Sequence, residues 1–183
     1  NIGKSYLKIY INENGIAEKG FITVDENLYY FSETTCLSLT GLQRIGSDTY
    51  YFNDEGVAQT GFIEIDNHTY YFGSDYKMAT GVQQIDNKLY YFLENGYMMT
   101  GFIRTEDGMA YYFDEETGAA IDGWYTSSSG YTYYFDPSTY EAVSDWQTIG
   151  GKRYYFNPNG VLQTGLIRDN NNKAYYYSED GSV

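Results

Sequence analysis

One cysteine, Cys36, and one histidine, His68, stand in a chain of 183 residues. A lone thiol forms no internal disulfide, and one thiol with one imidazole makes neither a zinc cluster nor a nucleophilic triad. Positive charge is also scarce: 11 Lys and Arg against 25 Asp and Glu give a formal charge of −14. Nucleic acid needs a basic, counterion-releasing surface, so it is not an expected partner, and electrostatic adhesion to anionic lipid is opposed. No apolar run reaches the length of a membrane span, so no membrane insertion is expected, and no signal peptide is visible. The chain opens without Met and begins and ends inside a repeat, which reads as a piece of a longer C-terminal repeat region. Its missing signal therefore says nothing about destination. Helical periodicity is nearly absent, because Gly and Asx punctuation recurs too often for one.

What the chain has in abundance is aromatic side chains: 20% of all residues, 24 of them Tyr. They recur as Tyr29-Tyr30-Phe31, Tyr50-Tyr51-Phe52, Tyr70-Tyr71-Phe72, Tyr90-Tyr91-Phe92, Tyr111-Tyr112-Phe113, Tyr133-Tyr134-Phe135 and Tyr154-Tyr155-Phe156. Ile9-Tyr10-Ile11 precedes the series and Tyr175-Tyr176-Tyr177 closes it. A fixed period of about 20 to 22 residues means stacked repeats, none of which buries its apolar face alone. The expected architecture is all-β: a β-solenoid of about eight stacked β-hairpin repeats, one continuous array over residues 1–183.

Each repeat opens on Thr-Gly and an apolar residue, as in Thr60-Gly61-Phe62 or Thr100-Gly101-Phe102. A short strand follows, then a turn such as Asp66-Asn67, Asp86-Asn87 or Gly150-Gly151, whose residues tolerate positive φ and mark a hairpin. The second strand carries Tyr-Tyr-Phe. Side chains alternate along a strand, so the first and third aromatics share one face and the middle Tyr takes the other. One face lines a core; the other packs on the next repeat or forms a groove between repeats. Two units carry expanded turns, 104–109 and 126–131, and Tyr140 stands where a loop Gly is usual. Irregularities between 104 and 155 are where a ligand is expected.

The segment Asp145-Trp146-Gln147-Thr148-Ile149-Gly150-Gly151-Lys152-Arg153-Tyr154-Tyr155-Phe156-Asn157, running on to Gly160 and Thr164-Gly165, resembles the cell-wall-binding and choline-binding repeat superfamily of Gram-positive bacteria. It is closest to the short repeats of clostridial glucosylating toxins and the glucan-binding repeats of streptococcal glucosyltransferases. The resemblance covers essentially the whole chain. It implies a left-handed hairpin solenoid, without catalysis, that attaches a larger secreted or wall-associated protein to a glycan, a bacterial cell-wall polymer or host cell-surface carbohydrate.

Choline-binding members cage a quaternary ammonium with a Trp after the repeat-opening Gly and another just before Tyr-Tyr. Here the first position is Trp only at Trp124 and Trp146. The second holds Leu28, Thr49, Thr69, Leu89, Ala110, Thr132, Arg153 and Ala174, none of them aromatic. Choline or teichoic acid is therefore an alternative and not the leading ligand; a structural spacer or protein-interaction stalk is another. The expected glycan contacts are Trp124, Tyr125, Tyr134, Trp146, Gln147, Arg153 and Tyr155. No catalytic residue, cofactor or metal site is expected: loop acids such as Asp114-Glu115-Glu116 read as solvated, and Asp169-Asn170-Asn171-Asn172 is explained by its turn.

Overall fold

The computed structural model describes residues 7–106, 108–168 and 172–182. Asp107 of the first expanded turn and Asp169, Asn170 and Asn171 of the oxygen-rich turn lie outside the described residues. All regular structure among the described residues is β. The strands pair in sequence as eight antiparallel hairpins. The first four are β1 (Gly20–Val24) with β2 (Asn27–Phe31), β3 (Gly41–Ile45) with β4 (Asp48–Phe52), β5 (Gly61–Ile65) with β6 (His68–Phe72), and β7 (Gly81–Ile85) with β8 (Lys88–Phe92). The last four are β9 (Gly101–Arg104) with β10 (Ala110–Phe113), β11 (Gly123–Thr126) with β12 (Thr132–Phe135), β13 (Asp145–Ile149) with β14 (Lys152–Phe156), and β15 (Gly165–Arg168) with β16 (Ala174–Tyr177).

Turn chemistry explains the register. Asp25-Glu26, Asp66-Asn67, Asp86-Asn87 and Gly150-Gly151 have positive φ at both central residues. That is the requirement of the turn whose twist matches the flanking strands. The fifth and sixth hairpins depart from it, with longer connections closed by the Thr105 amide donating to the Met109 carbonyl and the Ser127 amide to the Tyr131 carbonyl, 2.9 and 2.8 Å.

The aromatic triplets build the core as their alternation dictates. Phe31, Phe52, Phe72, Phe92, Phe113, Phe135 and Phe156 are at most 2% exposed, and most of the first Tyr residues are buried beside them. Each such ring contributes up to about 3 kcal/mol of burial free energy. The middle Tyr residues are half-buried on the opposite face. They cover the next repeat's Phe, as in Tyr51 on Phe72 at 6.1 Å and Tyr91 on Phe113 at 6.3 Å.

Beyond each hairpin the loop returns to form one more antiparallel bridge, such as Phe52↔Ala58, Phe113↔Ala120 and Phe156↔Leu162. The bridging residue's amide donates to the preceding hairpin: Ala58 to Leu28, Met78 to Thr49, Ala142 to Ala110 and Leu162 to Thr132, all within 2.7–2.8 Å. The accepting carbonyls belong to the residues just before Tyr-Tyr, so those positions serve the backbone stack whatever their side chains are.

The loops turn on left-handed residues packed close to the previous repeat. A Cβ at Gly181 (φ +81) would lie 2.7 Å from the Leu162 side chain. Cys36, Tyr76 and Tyr140 occupy the equivalent loop position at φ 57, 66 and 62, a conformation uncommon for side chains of this bulk.

By contacts the chain divides into two compact units, residues 1–83 with 92–98, and residues 84–91 with 99–183. The division runs through the fourth hairpin. Hairpins 5 to 8 lie wholly in the second unit.

Candidate functional site

The outer face of each hairpin places the residue after the opening Gly directly across from the middle Tyr. Phe21 pairs with Tyr30, Phe62 with Tyr71, Trp124 with Tyr134 and Trp146 with Tyr155. Cross-strand aromatic pairs of this kind stabilise a two-stranded sheet. The same residue also reaches the first Tyr of the next hairpin: Phe21 to Tyr50 at 5.0 Å, Phe102 to Tyr133 at 5.1 Å and Trp124 to Tyr154 at 4.9 Å. Trp124 meets both Tyr134 (5.1 Å) and Tyr154 edge-to-face at 68°, with Phe156 beneath it at 5.9 Å. Its ring is 44% exposed. In this setting Trp124 braces two hairpins as Phe21 and Phe102 do.

Trp146 sits differently. It lies 5.2 Å from Tyr155 in its own hairpin, and 6.2 and 5.8 Å from Tyr175 and Tyr177 in the next. The wider spacing leaves a groove of about 270 Å³ lined by Asp145, Trp146, Tyr155, Ile167, Arg168, Tyr175 and Tyr177. Arg153 lays its guanidinium 4.1 Å from the centroid of the Trp146 ring. Asp145 replaces the usual opening Gly and holds φ +63. Residues kept in that region cluster where a ligand is held. Arg168 Nη1 donates to the Asn172 carbonyl at 3.0 Å. At the turn end of hairpin 7, Lys152 pairs with Asp180 at 2.7 Å. That ammonium, with hydrogen bonds from Ser178 and Ser182, holds the Asp180 carboxyl far below the ordinary carboxylate range.

The seven residues expected from the sequence thus separate. Trp146 and Tyr155 line the groove between hairpins 7 and 8, and Arg153 stacks on Trp146 without lining it. Trp124 and Tyr134 pair one hairpin earlier. Tyr125 and Gln147 do not join either set, because each follows a Trp along its strand and projects from the opposite face. Tyr125 stacks on Tyr112 at 4.0 Å, and Gln147 donates to the Ser144 carbonyl at 2.8 Å. The Tyr125 hydrogen bond, with burial and Glu115, pushes the Tyr112 hydroxyl well above its ordinary value. Groove residues not anticipated are Asp145, Ile167, Arg168, Tyr175 and Tyr177. The groove therefore extends beyond the 104–155 stretch of irregular repeats. Asp145 in a glycine position was the sequence signal for it.

Arg104, at the start of the expanded turn of hairpin 5, is held by backbone carbonyls. It donates to the Gly108 carbonyl at 2.8 Å and to the Asn159 carbonyl at 3.2 Å. Asp114 accepts from the Thr117 amide and hydroxyl, which lowers its pKa, the reverse of what a general acid requires. His68 stacks on Tyr97 at 3.7 Å. Among the described residues no group of three or more His, Cys, Asp or Glu is placed to hold a metal ion. No helix among them is long and apolar enough to cross a membrane.

Hairpins that turn one aromatic face inward, carry cross-strand aromatic pairs outward and open a ring-lined groove at Trp146 have the build of a binding repeat module. The chain belongs to the choline-binding repeat family, whose model matches residues 39–79, 79–122 and 142–183. Among solved structures it is similar to choline binding protein F of Streptococcus pneumoniae, with a TM-score of 0.81 and 26% identity over 95% of this chain and 60% of that one. The same protein in the presence of a peptidoglycan analogue, a tetrasaccharide-pentapeptide, aligns with a TM-score of 0.80, 26% identity and the same coverage. CbpJ of the same organism aligns with a TM-score of 0.77 and 26% identity, over 95% of this chain and 68% of that one. The chain thus spans 60 to 68% of the length of these relatives. No curated protein sequence matches it significantly. The chain is a repeat module of the cell-wall- or carbohydrate-binding type that larger proteins carry.

Proposed function

We propose that residues 1–183 form one continuous β-solenoid that attaches a larger secreted bacterial protein to a glycan or wall polymer, through weak contacts repeated along the array. The observation that carries this reading is the groove of about 270 Å³ at Trp146. A pyranose presents apolar C–H faces and a girdle of hydroxyls. Trp146, Tyr155 and the Tyr175 ring offer platforms to the former, with buried Tyr177 at the floor, while Asp145 accepts from and Arg168 donates to the latter. Trp124 and Tyr134, with Tyr154, form a shallower second platform. Shallow sites bind weakly one at a time, and linked copies raise the avidity. The acidic surface suits neutral sugars better than polyanions.

The relative crystallised with a peptidoglycan analogue supports wall polymer as the target, with host cell-surface carbohydrate of similar chemistry as the competing one. Titrating a peptidoglycan-derived tetrasaccharide into the folded protein, followed on the two Trp side chains, tests the reading. Saturable movement of the Trp146 signal is the expected result. Absence of any response, there and on a glycan array, would sink the proposal. A second reading, choline of a teichoic acid held at Trp124, is favoured by that ring's exposure between Tyr134 and Tyr154 and by the family. Elution from a choline-analogue resin by free choline tests it. If every Trp variant loses only stability, the spacer reading stands instead.

A further inference from the structure

We infer that Arg153 is a specificity-determining residue: its guanidinium lies over the Trp146 ring for which an organic cation would compete, so Trp146, in the wall of the groove between hairpins 7 and 8, rejects quaternary ammonium groups and the groove is left to uncharged saccharide. The inference deepens the glycan reading of that groove and rests on it for the identity of the ligand admitted.

The placement follows from the register. Thr148 lies across from Arg153, and Trp146 across from Tyr155, so all four side chains share the outer face of the hairpin. Arg153 Cζ rests 4.1 Å from the Trp146 ring centroid, within the range where a cation is drawn to an indole face. Because strand pairing fixes the backbone of both residues, the guanidinium is presented at high effective concentration. A free ammonium ion must displace it and then remain beside a like charge. Each penalty is several-fold, and together they are on the order of tenfold.

Charge around the groove points the same way. Its lining carries one positive charge, Arg168, and one negative, Asp145, and Arg153 on the Trp146 ring adds a positive charge beside them, within a chain of net charge −14. Arginine also keeps its N–H donors in the plane of the fork while its face is stacked, so the residue that bars a cation still offers hydrogen bonds to hydroxyls. Hairpin 6 is the internal contrast. There Thr132 stands in the Arg153 position, its Oγ1 2.9 Å from Thr126 Oγ1, and brings no charge to Trp124.

The chain has two tryptophans, hence two indole N–H signals in a nitrogen-edited proton spectrum, assigned with Trp124→Phe. Choline chloride is titrated into the native protein and into Arg153→Gln, with sodium chloride as the ionic-strength control. Arg153 is exposed, and an unchanged Trp124 signal reports that the variant is folded. The expected result is an apparent choline affinity at Trp146 about tenfold or more higher in Arg153→Gln than in the native protein. Equal titration of Trp146 in both proteins, or no gain in the variant, overturns the assignment. The glycan reading fails separately: if the peptidoglycan tetrasaccharide moves neither indole of the native protein while Arg153→Gln gains choline, that reading falls and the exclusion by Arg153 stands.

Discussion

Hairpins 6 and 7 are built on the same plan and put their tryptophans to different uses. Trp124 follows Gly123, which holds φ +76 without strain, whereas Trp146 follows Asp145 at φ +63. Trp124 packs edge-to-face on both Tyr134 and Tyr154, at 5.1 and 4.9 Å. Trp146 stands 6.2 Å from the corresponding Tyr175, and a groove opens there. A neutral Thr132 lies beside the first ring and a guanidinium covers the second. The lesson is that one repeat position, one residue type and one partner on the opposite strand do not define a site. The neighbours one hairpin ahead and one residue behind do.

The comparison breaks most severely at the ring beneath Trp124. Phe156 is fully buried and lies 5.9 Å from that indole, so Phe156→Ala is expected to cost about 3–5 kcal/mol and to lower the urea midpoint of the second unit. Next come the tryptophans themselves. Trp146→Ala is expected to weaken saccharide binding at least tenfold by calorimetry, as removal of a central aromatic anchor does. Trp124→Ala should leave that affinity within about twofold and instead lower stability by about 1–3 kcal/mol. Equal binding losses in both variants would erase the distinction between the two hairpins.

Asp145→Gly makes hairpin 7 resemble hairpin 6. Relief of the left-handed conformation should raise stability by a few tenths to about 1 kcal/mol, while loss of the carboxylate weakens saccharide binding severalfold. A gain in both would remove Asp145 from the site.

The smallest effect is on pH. Lys152 and the neighbouring serines depress the Asp180 pKa in the folded chain, so the stability this contact contributes is present above the unfolded value near 3.9. It is lost as the pH falls from there toward the depressed folded value. Acid titration of unfolding midpoints should show this weakening for the native protein and a smaller one for Asp180→Asn.

Much of the fold was legible in the chain because two periodicities coincide. The twenty-residue recurrence of Tyr-Tyr-Phe marks the repeats, and the two-residue alternation within each strand puts Phe52 or Phe92 on the face opposite Tyr51 or Tyr91; the structure turns the Phe face inward. Turn residues such as Asp66-Asn67 announce the hairpins by their tolerance of positive φ. The site was less legible. Adjacency in sequence suggested Tyr125 with Trp124 and Gln147 with Trp146, yet neighbours on a strand face opposite ways, and Tyr125 went to Tyr112 instead. Tyr175 and Tyr177 read as a weaker closing copy of the triplet, and their place in the groove wall is visible only when hairpin 8 is laid beside Trp146.

By itself, then, the sequence determined the repeat, the hairpin and which rings of each triplet share a face, because these follow from local alternation and turn chemistry within some twenty residues, and its motifs carried the resemblance to the family. Only the tertiary structure decided which tryptophan braces the array and which lines a groove. That depends on differences of about one ångström in ring separation between hairpins and on where the Arg153 side chain comes to rest, and neither is encoded in the spacing of residues along one strand.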